Sequence, residues 1–303
     1  QSGTSKETYL SFKSGPNRGH FHGDQLSLHW VHHGQPLAVD HHASYKPRPG
    51  QEHMHNRLSF SVEGMPYANM DGHEGLLAFK THELADVAVG RVESSRLREV
   101  KKLPPEDWDV YEPQVAFDTP LKYQRTVVFL KGQTPVVVLV DDFSGPEVTA
   151  TWNLHVRGNQ ADRKGDWIDF GNAQVFLPAN RGEEFEAFPW KHSNGGREKT
   201  TAARVHRSGS EGRFISVLIP GTDRPKLSLN GDRLRFDSGQ ELNLSPDGGI
   251  RLKAVDGSTH ELLSANEART YRSQGDVGLF VPDVGYPFGP LPEWLIEQRV
   301  PAP

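Results

Sequence analysis

Apolar and polar residues alternate along this chain with the period of β-strands. Residues 26–32, 57–62, 123–130, 148–154, 173–177 and 214–219 are short runs rich in β-branched and aromatic side chains, bounded by turn residues. The run 135–140 is apolar at nearly every position, which predicts a strand buried on both faces. From about 227 to 263 the turn signals become regular. Asn230-Gly231-Asp232, Asp237-Ser238-Gly239, Asp247-Gly248-Gly249 and Asp256-Gly257 separate alternating segments such as Leu234-Arg235-Phe236, and the stretch reads as an antiparallel meander. Only 83–87 and 292–298 carry a short helix-compatible pattern. Residues 102–112 read as a polar loop or weak boundary, and 188–198 as a second irregular stretch. The expected architecture is therefore all-β, a layered antiparallel β-sandwich of the super-sandwich type. A sandwich domain over 1–263 would carry its candidate site near the N-terminus. A C-terminal extension over 264–303, Pro-rich from Val281, would pack on its surface.

Composition supports this picture and removes several function classes. Thirty Gly and 22 Pro in 303 residues favour turns and short strands over long helices. The formal net charge of -5 gives no basic footprint for nucleic acid. The absence of cysteine removes disulfides, thiolate metal ligands and a thiol nucleophile. No apolar run reaches the roughly 18 residues of a membrane-spanning helix. Residues 1–6 are polar and do not read as a signal peptide, so the chain is read as a processed form or a piece of a longer one.

Candidate chemistry concentrates near the N-terminus. Nine of the 15 histidines fall between His20 and His55, far more than even spacing would place there. His20 and His22 are two positions apart and would share a face on a strand. The apolar run 36–39 ends in Asp40, and His53 and His55 precede the next strand. Two imidazoles and a carboxylate, His22, His55 and Asp40, form an N/O set suited to Zn2+ with a fourth position open. For His29, His32, His33, His41 and His42 an ordinary surface or core place is the commoner outcome. Arg57, Lys46 and Arg48 could meet acidic sugars, although solvated surface charge is the commoner role. Trp30, Trp108, Trp152 and Trp190 could stack on sugar rings, but tryptophans are more often core. His155 could face a cleft, and Asp24 could orient a histidine or cap a turn.

The stretch Gly15-Pro16-Asn17-Arg18-Gly19-His20-Phe21-His22-Gly23-Asp24-Gln25-Leu26-Ser27, the following element 34–40, and His55-Asn56 with the Glu63-Gly64 turn resemble, in order, the signature of the heparinase II/III-like polysaccharide lyases. That resemblance implies a lyase cleaving uronate-containing acidic polysaccharide by β-elimination. It implies a structural zinc on His22, Asp40 and His55, and His20 facing the cleft as a catalytic group. Some members use a tyrosine after the metal aspartate, which here is Tyr45. The family also carries a large N-terminal α/α-toroid that has no counterpart in this sequence, so a toroid on a separate or longer chain is an expected partner. Oligomerisation and secreted or periplasmic localisation are further expectations. Two other classes stay open: a non-catalytic, zinc-stabilised glycan-binding β module, and a metal-dependent glycan-active enzyme with catalytic zinc or copper.

Overall fold

The computed structural model describes residues 6–14, 23–39, 51–70, 72–101, 110–190 and 199–267. The described residues are almost entirely antiparallel strands. Strands β1 (Tyr9–Phe12), β2 (Leu28–His32) and β3 (Gln35–Ala38) form a short N-terminal group. A 3-10 turn at Glu52–Met54 leads into β4 (Leu58–Val62), β5 (Met65–Met70) and β6 (His73–Thr81). Long strands follow, β7 (Ala85–Lys101), β8 (Val110–Leu130) and β9 (Val136–Arg157). Then come β10 (Asp162–Lys164), β11 (Trp167–Asp169), β12 (Ala173–Phe176), β13 (Glu184–Trp190) and the long β14 (Thr200–Pro220). These belong to one 14-stranded sheet. Strands β15 (Leu227–Asn230), β16 (Arg233–Phe236), β17 (Glu241–Leu244), β18 (Ile250–Lys253) and β19 (Thr259–Leu263) form a separate five-stranded meander.

The layering follows from the pleat. In β9, Val137 and Leu139 enter one hydrophobic cluster, and Val138 and Val140 enter the other. Val138 lies opposite Val128 of β8 and Val217 of β14, and Val128 lies opposite Val87 of β7, so one apolar row crosses four strands. That row packs against Leu234, Leu242, Leu252 and Leu262 of the meander. The other cluster gathers Trp30, Leu58, Phe60, Trp152 and Phe214. Each fully buried side chain of this kind contributes roughly 1.5–3 kcal/mol. The apolar run 135–140 is thus buried on both faces, as its composition predicts.

Three local expectations change. The stretch 83–87 is no helix, because β7 already begins at Ala85 and its alternating Ala85, Val87 and Val89 face the meander-side core. Residues 102–109 lie outside the described set, but Val110 opens β8 and pairs with Lys101, so the supposed boundary lies within a hairpin. The runs 135–140 and 148–154 are one strand rather than two. β9 continues through Gly145-Pro146 and changes partner there, pairing with β8 up to Ser144 and with β4 from Thr149. Gly145 (φ 144°) makes this possible, since a Cβ at that position would stand 2.6 Å from the Pro120 carbonyl oxygen. The bulge at Gly209/Glu211 in β14 lies beside this change of partner. The segments 268–303, including most of the expected C-terminal extension, lie outside the described residues.

Candidate functional site

Of the five residues that the sequence singles out as metal ligands or catalytic groups, His55 is described. His20, His22, Asp40 and Tyr45 lie outside the described residues. Among the described residues no group of three or more His, Asp or Glu gathers around one point. The structure does show where the chain beside these positions is held.

His55 ends the 3-10 turn and is fully buried, with its backbone N–H donating to Glu52 O at 3.1 Å. Asn56 links three elements. Its Nδ2 donates to Leu28 O of β2 at 2.9 Å, and its backbone N–H donates to Ser27 Oγ at 3.1 Å. Its Oδ1 accepts the backbone N–H of His155 in β9 at 2.7 Å. The same Oδ1 lies 3.2 Å from His155 Nδ1. The amide orientation is fixed by its partners, because Leu28 O requires a donor and the His155 N–H requires an acceptor. An oxygen facing Nδ1 makes Nδ1 the donor, so the His155 tautomer carries its proton on Nδ1 and its lone pair on Nε2. The imidazole is buried and lies 4.8 Å from the Trp190 ring, centroid to centroid.

The same network reaches the chain beside the other two ligand positions. Val39, which precedes Asp40, donates its N–H to His155 O at 2.8 Å. Gly23, which follows His22, accepts from Arg57 Nη1 at 3.3 Å. A Cβ on Gly23 would come within 2.8 Å of Glu52 N, so only glycine allows this approach. Gly23, Val39 and His55 therefore meet around the segment 52–57 and His155. Two imidazoles and a carboxylate are the donor type zinc takes.

Beneath the segment lies a buried polar layer. Arg57 is fully buried, so the reading of it as a solvated surface charge is wrong. Its guanidinium pairs with Glu52 at 3.2 Å, donates to Leu58 O and Gln25 Oε1, and lies 5.4 Å from the Tyr123 ring centroid. Arg125 and Asp141, directly opposite in β8 and β9, form a two-point ion pair at 2.6 and 3.0 Å. Arg125 Nη1 also donates to Leu26 O and to Asn56 O. The Tyr123 hydroxyl donates to Asp141 at 2.9 Å and accepts Leu58 N–H at 3.3 Å. Burial pushes the Tyr123 phenol far above its usual range, which the neighbouring Arg125 only partly offsets. This tyrosine stays protonated and acts as scaffold. Sequence reasoning missed Glu52, Arg125 and Asp141. The available signal was an arginine and an aspartate each adjoining the apolar runs of neighbouring strands.

The remaining candidates scatter. Trp30 and Trp152 are core residues, and Trp190 is half-buried against His155. Asp24 forms an ion pair with Lys13, and the neighbouring His20 and His22 lie outside the described residues. His32 and His33 stack at 4.0 Å on the exposed end of β2. Lys46, Arg48, His41, His42 and Trp108 lie outside the described residues.

No family model and no curated protein sequence matches the chain. Solved structures do match it. A heparinase III gene product with methylated lysines aligns with probability 1.00, a TM-score of 0.56 and 16% identity. The heparan sulfate lyase HepC from Pedobacter heparinus aligns with a TM-score of 0.54 and 13% identity. In fold, the chain resembles heparinase III and HepC. Each alignment covers 85% of this chain, which spans 38% of the heparinase III chain and 39% of the HepC chain. At these identities the likeness is one of fold, and it agrees with the all-β family resemblance carried by the His20–Ser27 and His55-Asn56 motifs.

Proposed function

We propose that this chain is the β portion of a polysaccharide lyase that cleaves uronate-containing acidic polysaccharide by β-elimination, outside the cytoplasm. The observation that carries the reading is the meeting of Gly23, Val39 and His55 in one buried hydrogen-bonded network. Gly23 adjoins His22 and Val39 adjoins Asp40 in sequence, and this supports reading His22, Asp40 and His55 as the zinc ligands. The fold shared with heparinase III and HepC supports the same reading.

In the reaction a base takes the C5 proton of the uronate, the C4–O4 bond breaks, a C4=C5 double bond forms, and the leaving O4 receives a proton. The weakly acidic C5 proton can be removed only if charge developing on the adjacent carboxylate is stabilised. His20 and Tyr45 are the groups proposed to do this work, His20 by neutralising the carboxylate or relaying a proton. His22, Asp40 and His55 would hold the zinc, which would supply a structural cross-link. Asn56 holds His155 through Nδ1 and so fixes the orientation of its ring. A toroid-bearing segment or chain would complete the cleft.

The test measures ultraviolet absorbance of the unsaturated product on heparan-type, alginate and hyaluronan substrates, together with metal content. One zinc per chain and product formation that His20→Ala abolishes are expected. Product formation undiminished in His20→Ala, or no zinc in a folded chain, would overturn the assignment. A second reading is a zinc-stabilised glycan-binding module without catalysis. It predicts polyuronate binding without product, unaffected by His20→Ala.

A further inference from the structure

The five-stranded meander turns one face to the large sheet and the other to solvent. Leu234, Leu242 and Leu252 are fully buried against the sheet, so the residues that alternate with them project outward. The register sets these outward side chains beside one another. Glu241 of the central strand β17 lies directly opposite Arg235 of β16 and directly opposite Lys253 of β18. Arg233, two residues before Arg235 on the same face, lies opposite Asn243 and reaches Glu241 diagonally.

Three cations therefore surround one carboxylate. Arg235 donates through Nε to Glu241 Oε2 at 2.7 Å, and Arg233 Nε stands 3.1 Å from Oε1, so each guanidinium holds one of the two oxygens. Arg235 first, and then Arg233 and Lys253, hold the Glu241 carboxyl below its usual range. The Glu241 side chain is 23% exposed, against 50% for Arg233 and 56% for Arg235, so the carboxylate lies low and the guanidiniums stand above it. Both arginines are anchored through Nε, and among the described residues their Nη groups meet no acceptor. The other carboxylate that the five strands turn outward, Glu261, pairs with Arg251 at 3.3 Å. Acids at the hairpin ends are engaged elsewhere. Asp232 pairs with Arg213 of β14 at 2.8 Å, and Asp237 and Asp256 accept the N–H groups of Lys226 and Ser258. The outward positions thus carry four cations and two carboxylates, an excess of positive charge in a chain whose formal net charge is -5. Exposed ion pairs contribute little to stability, so folding alone does not explain a carboxylate ringed by three cations.

We infer that the outer face of the meander is a docking surface for a uronate-bearing polysaccharide, with Glu241 fixing Arg233 and Arg235 so that their Nη edges grip sugar carboxylates and Lys253 adds a third positive charge. Arginine forks match carboxylates in two-point contacts. Arg233 and Arg251 stand two strands apart in one row, and Arg235 and Lys253 in the next, so cations recur about 9–10 Å apart, twice the usual strand spacing. A polymer lying across the strands meets positive charge repeatedly. The inference rests on the acidic-glycan reading above and adds a holding surface on the side of the meander turned away from the large sheet, which carries His155.

Calorimetric titration of the full chain with hexagalacturonate, a uronate oligomer without sulfate, and with neutral cellohexaose tests it. The salt is set at about 0.15 M, where exposed charges beyond roughly 8 Å are screened. Binding of hexagalacturonate, weakening with added salt, and no binding of cellohexaose are expected. Arg233→Ala/Arg235→Ala should lower affinity about tenfold, since it removes charge-assisted contacts at an exposed site. Arg233→Lys/Arg235→Lys keeps both charges but loses the forks, and should lose most of that affinity too. Lys122→Ala/Lys164→Ala, the same charge change at exposed positions of β8 and β10, should leave affinity unchanged. No binding of hexagalacturonate, equal binding of cellohexaose, full affinity in either arginine variant, or an equal loss in the Lys122→Ala/Lys164→Ala control would overturn the inference. Failure of the lyase reading would look different: no unsaturated product from any uronate polymer, with hexagalacturonate still bound and still dependent on Arg233 and Arg235.

Discussion

Asparagine at position 141 would remove one charge from a pair that the fold has withdrawn from water. Arg125 is 1% exposed and Asp141 is fully buried. The carboxylate takes both Nε and Nη2 of Arg125 and the hydroxyl of Tyr123. In Asp141→Asn the shape is nearly kept, but the guanidinium has no counter-charge within the pair, and an NH2 group faces donors. Breaking a buried pair from one side costs about 3–5 kcal/mol, because the remaining charge stays desolvated. Arg125 also donates to Leu26 O and Asn56 O, so the loss would loosen the segment that carries His55. Urea unfolding should show this loss of stability, and thermal unfolding a midpoint lower by roughly 6–20 °C. Arg125→Met/Asp141→Leu should regain most of it, since replacing both partners by apolar groups removes the desolvation cost along with the attraction. An Asp141→Asn variant within about 1 kcal/mol of the parent chain would refute the reasoning, as would a double variant no more stable than the single one.

Other expectations follow from single contacts. Asn56→Ala leaves the buried His155 N–H without its acceptor and should cost about 1–3 kcal/mol. Nitrogen NMR of the His155 ring should show the Nδ1-protonated form in the parent chain and lose that preference in the variant. Gly145→Ala places a methyl 2.6 Å from Pro120 O at a φ of 144° and should destabilise by at least ~1–3 kcal/mol in thermal unfolding. Glu267 is held down, from an ordinary 4.5 to about 2, by the Lys80 ammonium first and by Ser264 second. Its contribution to stability is therefore full above about pH 4.5 and is lost as pH falls toward 2. Glu267→Gln should flatten that part of a stability-against-pH profile, while a profile of unchanged slope would count against the contact.

What could be read from the sequence had a local physical cause. Side chains on a strand alternate between faces, so the strands at 57–62, 173–177 and 214–219 show as alternating or apolar runs, and the doubly buried 135–140 shows as a continuous one. The Asn230-Gly231 and Asp256-Gly257 turns specify hairpins through two or three residues each, so the meander was legible from end to end. Gly145-Pro146 misled for the same local reason. Both residues usually end strands, but here the strand persists because neighbours on both sides supply the pairing and Gly145 alone fits against Pro120.

The sequence by itself determined the all-β layering, the turn positions and the histidine-rich motifs that resemble the lyase signature. Tertiary structure decided the fate of the charges. Arg57 and Arg125 look like any surface arginine in sequence, and burying them is tolerable only because Glu52 and Asp141 are brought to hydrogen-bond range. It also decided that Asn56 meets His155 across 99 residues, and that Arg233, Arg235 and Lys253 gather around Glu241. A strand's period is set by its own backbone, whereas the energy of a buried polar group is set by which partner the rest of the chain places beside it.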